Sequence, residues 1–541
     1  MKKALSALTI IVLMFGCIQV WATELTVGVY PWVPRVDQFK QAIEEAWKTK
    51  HPDISLKFSK NWDGGYNDNP SQLDVFVFDA IFLSNFREEG YLAYIEDNEV
   101  DNLSDILKYA VDGSRSGDEL YGIPQLGCAS ILFFRKGDEQ LEKASSIAEL
   151  VNVLGQCQYT NEKPPKNERL MVNVSGGTTA ACLYVDTVED VYGKYTINPP
   201  LPLEESQINN WAISNLRNVV AMASAKNALY DGKPYIRAKW FGEGYGRATI
   251  GYTEALSAMG NARENVDFKL MPFYSRQGGG VSLFYADIIG INSKTKNRAL
   301  ALELANLMAS EDVIVKSIGS GSNNYPQYLM PVRHSVFNTL KKEFPLYDKM
   351  YKLVTQADPK LFRLGENARN WLTNMKSKIK DTIFASVCVD KCGSPYVKTL
   401  SYGGSGGGDF SDNLTNTVRV TQISIRHGKY VDSIQTTWLT TEGKSITGER
   451  HGGDGGSEDT FSLSEGEYIT DINGRSGKLV DQLTFYSNFG KEYGPYGGSG
   501  GSPFEIKDIC VGGFFGKSGK YLDAIGVFTG TNEINGVRLD L

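Results

Sequence analysis

One cysteine stands where a nucleophile could be held. Cys128 ends the stretch Tyr121-Gly-Ile-Pro-Gln-Leu-Gly-Cys128, and an apolar run, Ile131 to Phe134, follows at once. Pro124 biases the residue before it toward extended geometry, which predicts that Cys128 sits where a loop enters a strand rather than inside a helix. A thiol on such a connection can face a cleft while its neighbours lock the backbone, which suits a nucleophile. The competing reading is a buried structural cysteine. Two other stretches, Gly251-Tyr-Thr-Glu254 and Phe284-Tyr-Ala-Asp287, each put an aromatic ring two residues before a carboxylate. In extended chain the two side chains of each pair project from one face. Rings and acids at loop mouths make a site for a flat, cationic heteroaromatic, through stacking and cation–π attraction. Isolated pairs of this kind are more often ordinary strand or surface residues.

The elements that must position these groups alternate between strand and helix. Leu25–Tyr30, Ile54–Phe58 and Leu73–Phe78 read as strands and Gln38–Lys48 as an amphipathic helix. That alternation predicts an α/β domain with a mainly parallel sheet and ligands beyond the carboxyl ends of its strands. Asp79 follows one strand at such an end, and Tyr30-Pro-Trp32 terminates another. Asp79 reads equally as a helix N-cap ahead of Ala80–Leu83. Gly176-Gly-Thr-Thr-Ala180 is a glycine turn leading into a helix, a weak polar-ligand signal. Asn297–Ser310 reads as a helix with Leu300, Leu304 and Leu307 on one buried face, which is core packing.

Composition bounds the rest. A chain of 541 residues is too long for one core and should hold two or three domains. Its net charge of -7 argues against a nucleic-acid partner and is compatible with a cationic ligand. Only four histidines occur, and no pair has metal-ligand spacing, so no catalytic zinc is expected. Lys2 and Lys3 precede an apolar run from Ala4 to Gly16, too short to span a membrane, and Val20-Trp-Ala22 offers a cleavage site. Residues 1–22 therefore read as a signal peptide, and the mature protein as secreted or periplasmic, with lipidation at Cys17 as the alternative. In that oxidising compartment Cys388 could bridge Cys392 locally and Cys157 could pair with Cys182, while a nucleophilic Cys128 must stay free.

The span from about Leu25 to about Ile379 resembles thiaminase I. The resemblance rests on Val29-Tyr-Pro-Trp-Val-Pro34, Leu73-Asp-Val-Phe-Val-Phe-Asp79, Tyr121-Gly-Ile-Pro-Gln125 with Cys128, and Leu132-Phe-Phe-Arg-Lys-Gly-Asp138. Gly251-Tyr-Thr-Glu254, Tyr325-Pro-Gln-Tyr328 and Phe362-Arg-Leu-Gly365 continue it in order and spacing. It implies a two-lobed α/β domain of the periplasmic-binding-protein type (type II) over residues 23–380. It implies Cys128 as nucleophile, Glu254 as the base that activates it, and Tyr30, Trp32, Tyr66, Asp79, Tyr235, Tyr252, Tyr285 and Asp287 as pocket residues. Trp32 stands where the family can carry tyrosine, so a ring persists while a hydroxyl contact is lost. The implied substrates are thiamine and an amine or thiol, with no metal or organic cofactor.

After a linker at 381–397, composition shifts to glycine and alternating polar and apolar residues. Gly403-Gly-Ser-Gly-Gly407, Gly452-Gly-Asp-Gly-Gly456 and Gly497-Gly-Ser-Gly-Gly501 recur, as do Gly428-Lys-Tyr-Val-Asp432, Gly477-Lys-Leu-Val-Asp481 and Gly519-Lys-Tyr-Leu-Asp523. Three copies predict three similar sheets about a pseudo-threefold axis. Residues 398–541 resemble the jacalin-related lectins, all-β proteins of the β-prism fold. That resemblance implies that Asp432, Asp481 and Asp523 accept hydrogen bonds from the hydroxyls of mannose-, glucose- or galactose-type glycans. Gly403 and Gly404 joined to Gly519, Tyr521 and Asp523 form the first choice of site, and Leu479, lacking a polar ring, makes the middle site the doubtful one. Two other classes compete with a lectin-bearing transferase: a thiamine-binding transport receptor and a glycan-binding adhesin without catalysis. Neither needs Cys128 together with Glu254.

Overall fold

The structure is a computed structural model that describes residues 24–155, 164, 169–192, 207–223, 225–273, 283–357, 359–365, 367–385, 397–414, 417–440, 444–464, 467–487, 490–507, 509–529, 533–534 and 537–538. The signal segment, Cys157, Cys388 and Cys392 lie outside the described residues.

The first domain has two sheets. Its strands in chain order are β1 (Glu24–Gly28), β2 (Ser55–Phe58), β3 (Val75–Asp79), the small hairpin β4 (Arg115–Ser116) and β5 (Glu119–Leu120), then β6 (Ile123–Cys128) and β7 (Ile131–Arg135). They continue as β8 (Leu170–Met171), β9 (Ala248–Gly251), β10 (Val266–Leu270), β11 (Leu283–Ile291), β12 (Met330–Pro331) and β13 (Lys360–Leu361). The first lobe's sheet runs β12-β6-β11-β3-β1-β2 with β13 beside β11, and the second lobe's runs β10-β7-β9-β8. The chain therefore passes from one lobe to the other between β6 and β7 and returns between β10 and β11. This is the two-lobed architecture expected from the sequence. The sheets are mixed, however, not mainly parallel: β1 pairs parallel with β2 and β3, whereas β11 is antiparallel to both β3 and β6. Strands that return from the other lobe enter the sheet from the opposite end, which reverses their direction.

Local patterning accounts for the elements. The helix Val36–Lys50 buries Phe39, Ala42, Ile43 and Trp47 on one face, with Asp37 in its first turn and Lys48 and Lys50 in its last, as the helix dipole favours. β3 is buried along its whole length because sheet neighbours flank it and layers cover both faces. The helix Arg298–Met308 buries Ala301, Leu304, Ala305 and Met308. Leu300 and Leu307 are only half-buried beside that stripe, so the buried face is rotated from the expected one. The helix Ala368–Ala385 extends past position 380 and packs mainly on the helices Thr178–Tyr192 and Asn210–Ala221.

The second core is separate and all-β. Each repeat supplies a long hairpin: Thr417–His427 with Val431–Thr440, Ile469–Ser476 with Val480–Ser487, and Val511–Ser518 with Leu522–Thr529. Each hairpin heads one of three sheets, as the repeat predicts. The first strands of the domain, Val397–Lys398 and Tyr402–Gly403, pair with Leu522–Thr529 and so bring its two ends together. The thiol of Cys182 is free, so the expected pairing with Cys157 does not form; Cys510 is disulfide-bonded.

Candidate active site

Cys128 is the last residue of β6, and Cys128-Ala-Ser130 carries the chain from the first lobe to the second. The cysteine thus leaves a strand, where the sequence suggested that it enters one. Pro124 is tolerated inside β6 because β12 covers only Leu126 and Gly127, and a bulge between Asp287 and Ile288 relaxes the other side. Cys128 stands directly opposite Tyr285 on β11. Its thiol is free and half-buried.

Carboxylates gather around it. Asp79, at the end of β3, is directly opposite Asp287 on β11, so both side chains leave the same face of the sheet. Asp79 is at once a cap and a cleft residue: Oδ1 accepts from the backbone of Ile81 at 3.1 Å, and Oδ2 accepts from the Tyr66 hydroxyl at 2.9 Å. The Tyr30 hydroxyl extends that chain, 3.3 Å from Tyr66. Burial pushes Asp79 up to about 6, against the pull of its two donors. Asp287 is held well above the usual carboxylate range by burial, then by Asp79 and Glu254. Carboxylates this close cannot all ionise without a cation among them.

Glu254 follows β9 in the short 3-10 helix Thr253–Ala258. The expected extended geometry therefore holds for Tyr285 and Asp287, both within β11, but not for Tyr252 and Glu254, because β9 stops at Gly251. Glu254 reaches the cleft by the turn instead. It is buried, its Oε2 has no hydrogen-bond partner, and burial pushes its carboxyl up to about 7 although the Tyr235 hydroxyl pulls it down. The Cys128 thiol is raised well above its ordinary range by burial, then by Glu254, Asp287 and Asp79. At neutral pH the sulfur therefore rests as a thiol. A buried carboxylate with a spare oxygen and a near-neutral pKa is the group that can take its proton.

The C-terminal repeats build three matching loops. Gly404, Gly453 and Gly498 donate their backbone N–H to the carbonyls of Asp523, Asp432 and Asp481 at 2.8, 3.0 and 2.9 Å. A Cβ on Gly406, Gly455 or Gly500 would lie 2.3 Å from Oδ1 of the same aspartates, so only glycine lets the backbone wrap each carboxylate. Tyr430 and Tyr521 meet edge-to-face at 5.7 Å, which sets two of the loops side by side. Gly403 and Gly404 do join Gly519, Tyr521 and Asp523. The loop at Asp481 has the same backbone geometry but carries Leu479 where the other two have Tyr430 and Tyr521.

Both domains are similar to known proteins. A Thiaminase-1 domain family model matches residues 129–274 and a Jacalin-like lectin domain model matches residues 400–528. Thiaminase-1 of Paenibacillus thiaminolyticus is 38% identical over 366 residues, which cover 66% of this chain and 88% of that protein. The chain belongs to the thiaminase-1 family. The solved structure of Clostridium botulinum thiaminase I in complex with thiamin is 39% identical and superposes with a TM-score of 0.63, covering 66% of this chain and all of that one. Griffithsin from Griffithsia sp. is 38% identical over 128 residues, 24% of this chain and 92% of its own length. The thiaminase domain thus carries a jacalin-like lectin domain behind it.

In this thiaminase-1 family member the structure brings together Cys128, Glu254, Tyr30, Tyr66, Asp79, Tyr235, Tyr252, Tyr285 and Asp287. Tyr252 meets Tyr285 edge-on at 6.4 Å, and Phe362 meets Tyr285 from another side at 5.2 Å. Trp32 is set apart: it is 59% exposed, and its indole N–H donates to the carbonyl of Asp63 at 2.9 Å, which makes it a rim residue. Sequence reasoning missed Cys182 and Asp186, which the helix Thr178–Tyr192 presents one turn apart beside Tyr285. Their i, i+4 spacing in an otherwise apolar stretch was the available signal. In the glycine turn before that helix, a Cβ on Gly176 would meet the Lys380 side chain. Among the described residues no cluster of His, Cys, Asp or Glu could hold a metal ion, and no helix is long and apolar enough to cross a membrane.

Proposed function

We propose that this protein degrades thiamine by exchanging its thiazole for an amine or thiol, with Cys128 as nucleophile and Glu254 as its base. The observation that carries the proposal is the pairing of a resting, half-buried thiol with a buried carboxyl that has a free oxygen and a pKa near 7. Glu254 takes the thiol proton as sulfur bonds to the pyrimidine ring. Electrons then leave through the bond to the thiazolium, which departs as neutral thiazole. The amine or thiol adds at the exocyclic methylene, loses its proton, and Cys128 is expelled with its bonding pair. Asp79 and Asp287 hydrogen-bond the aminopyrimidine and favour its electron-poor form, while the tyrosines line the ring faces. The cationic substrate also relieves the mutual repulsion of the three carboxylates, so binding energy and charge relief act together. A transport receptor would bind the same cation without needing an unpartnered Glu254 oxygen beside a thiol.

The lectin domain binds glycan hydroxyls of the mannose, glucose or galactose type through Asp432, Asp481 and Asp523, and so concentrates the enzyme at a glycan surface. The organisation proposed is a signal peptide at 1–22, a catalytic domain from 23 that runs past the expected 380 to the helix end at Ala385, a linker within 386–396 and a lectin domain from 397, in a protein acting outside the cytoplasm. The deciding experiment mixes purified protein, thiamine and pyridine or aniline and follows the exchanged pyrimidine by mass. No exchange product with either base would overturn the enzymatic reading in favour of a receptor.

A further inference from the structure

Asp186 has no part in the chemistry above, yet it is bonded on both sides of the nucleophile. Its Oδ2 accepts from the Ser130 hydroxyl at 2.7 Å, and its Oδ1 accepts from the Tyr285 hydroxyl at 2.9 Å. Ser130 lies two residues beyond Cys128 in the segment that crosses between lobes, and Tyr285 stands directly opposite Cys128 on β11. All three side chains are buried: Asp186 is 4% exposed, Ser130 7% and Tyr285 4%. The carboxylate comes from the helix Thr178–Tyr192, which packs on Asn210–Ala221 in the second lobe, whereas β11 belongs to the first lobe's sheet. The return crossing is fastened at the same point, because the Met271 N–H donates to the Ser130 carbonyl at 2.8 Å.

The two hydroxyls donate to different oxygens of the one side chain, so both of its terminal atoms must be acceptors, which a carboxylate supplies and an amide, with an NH2 at one position, does not. With both bonds made, the chain just after Cys128 and the strand directly opposite it are fixed to one helix of the second lobe. Glu254 is carried by that same lobe, on the turn that follows β9. We propose that Asp186 is a positioning residue that locks the two lobes together at Cys128 through Ser130 and Tyr285 and so sets the sulfur against its base.

The proposal rests on Cys128 being the nucleophile, and the test separates the two. In the full-length protein, Asp186→Asn and Ser130→Ala are compared with wild type for kcat, for KM toward thiamine, and for the pH profile of Cys128 alkylation by iodoacetamide, located by mass. Asp186→Asn should lower kcat about 10- to 100-fold with little change in KM, since a small misplacement of reacting atoms costs that much. It should also displace the alkylation profile. Ser130→Ala, which removes one hydroxyl and leaves the fold otherwise untouched, should show a smaller loss of the same kind, and the double variant should be no worse than Asp186→Asn alone. Wild-type kcat and alkylation profile in both variants, with only a lowered melting temperature, would overturn the proposal and leave a purely structural bond. Label found elsewhere than Cys128, or turnover retained by Cys128→Ser, would instead overturn the nucleophile assignment on which it rests.

Discussion

Asp287 faces Asp79 directly across the antiparallel pair of β11 and β3, so two carboxylates share one patch of the cleft floor. Both are pushed up by burial, Asp79 to about 6, although Tyr66 and the Ile81 N–H hold the latter down. Their free energy of ionisation is recovered when a cation lies between them.

The KM for thiamine should therefore rise as pH falls through about 6, where Asp79 takes its proton. Asp79→Asn keeps the side chain's shape but loses the charge. It should raise KM by roughly 10- to 100-fold at neutral pH, the size of a hydrogen bond to a charged group, and flatten the pH dependence. Steady-state kinetics between pH 5 and 8 reads both; an unchanged KM would remove Asp79 from the binding site.

Glu254→Gln should lower kcat by about two to four powers of ten and erase the acid limb of the kcat/KM profile near pH 7. Its effect on stability has the opposite sign. The carboxyl stands at an ordinary 4.5 in the unfolded chain and about 7 in the fold, so between those values the folded protein holds the extra proton. That contribution is complete below about 4.5 and is lost as pH rises through about 7. Glutamine carries no such loss, so the variant should be more stable than wild type above pH 7, by up to about 3 kcal/mol, with no advantage below pH 4.5. Thermal melts at several pH values would test this. A variant destabilised at pH 8 would mean that the buried carboxylate is paired.

Two thiols lie close together in the cleft, but they differ in access. Cys128 is half-buried, whereas Cys182 is 6% exposed on the helix behind Tyr285. A mechanism-based pyrimidine analogue or iodoacetamide should label Cys128 in the native protein and Cys182 only after denaturation. Cys128→Ser should abolish exchange while thiamine still binds, because a serine hydroxyl is far less acidic than a thiol.

Of the proposed site residues, Cys128, Tyr285 and Asp287 were legible because each sits next to a pattern with its own physical meaning. The apolar run of β7 marked Cys128, and the alternation in β11 placed Tyr285 and Asp287 on one face. Strand direction was not legible. Nothing local in Leu283–Ile291 says that this strand returns from the other lobe and must enter antiparallel, so the mixed sheet is a consequence of the two crossings. Asp186 escaped for a related reason. Its partners, Ser130 and Tyr285, are remote in sequence, and its helix shows only an acid in an apolar stretch, which sequence alone cannot distinguish from a solvent-facing position. The glycine repeats were the opposite case, since a threefold repetition of the same loop and aspartate fixes the architecture from composition and period alone.

The lectin domain should be separable from catalysis. All the proposed catalytic and pocket residues precede the end of the helix Ala368–Ala385, and every glycine loop and its aspartate follow Val397. That helix reaches Ala385, and the Arg217 guanidinium donates to the carbonyls of Thr382 and Ile383, so the cut belongs within 386–396 and not at 380. Such a truncation should leave thiamine cleavage intact and abolish glycan binding. Within the domain, Asp523→Ala should weaken binding more than Asp481→Ala. The backbone cradles are alike, but Tyr521 accompanies the first and Leu479 the second, so only the first loop adds a ring against an apolar sugar face. Loss of the hydroxyl contacts to one carboxylate should cost roughly 1.5–3 kcal/mol at that site. Calorimetry on the full-length variants, with monosaccharide and with a multivalent glycan, reads the single-site loss and the loss of avidity separately. Equal effects at the two aspartates would show that the ring contributes nothing and that the carboxylate cradle alone carries recognition.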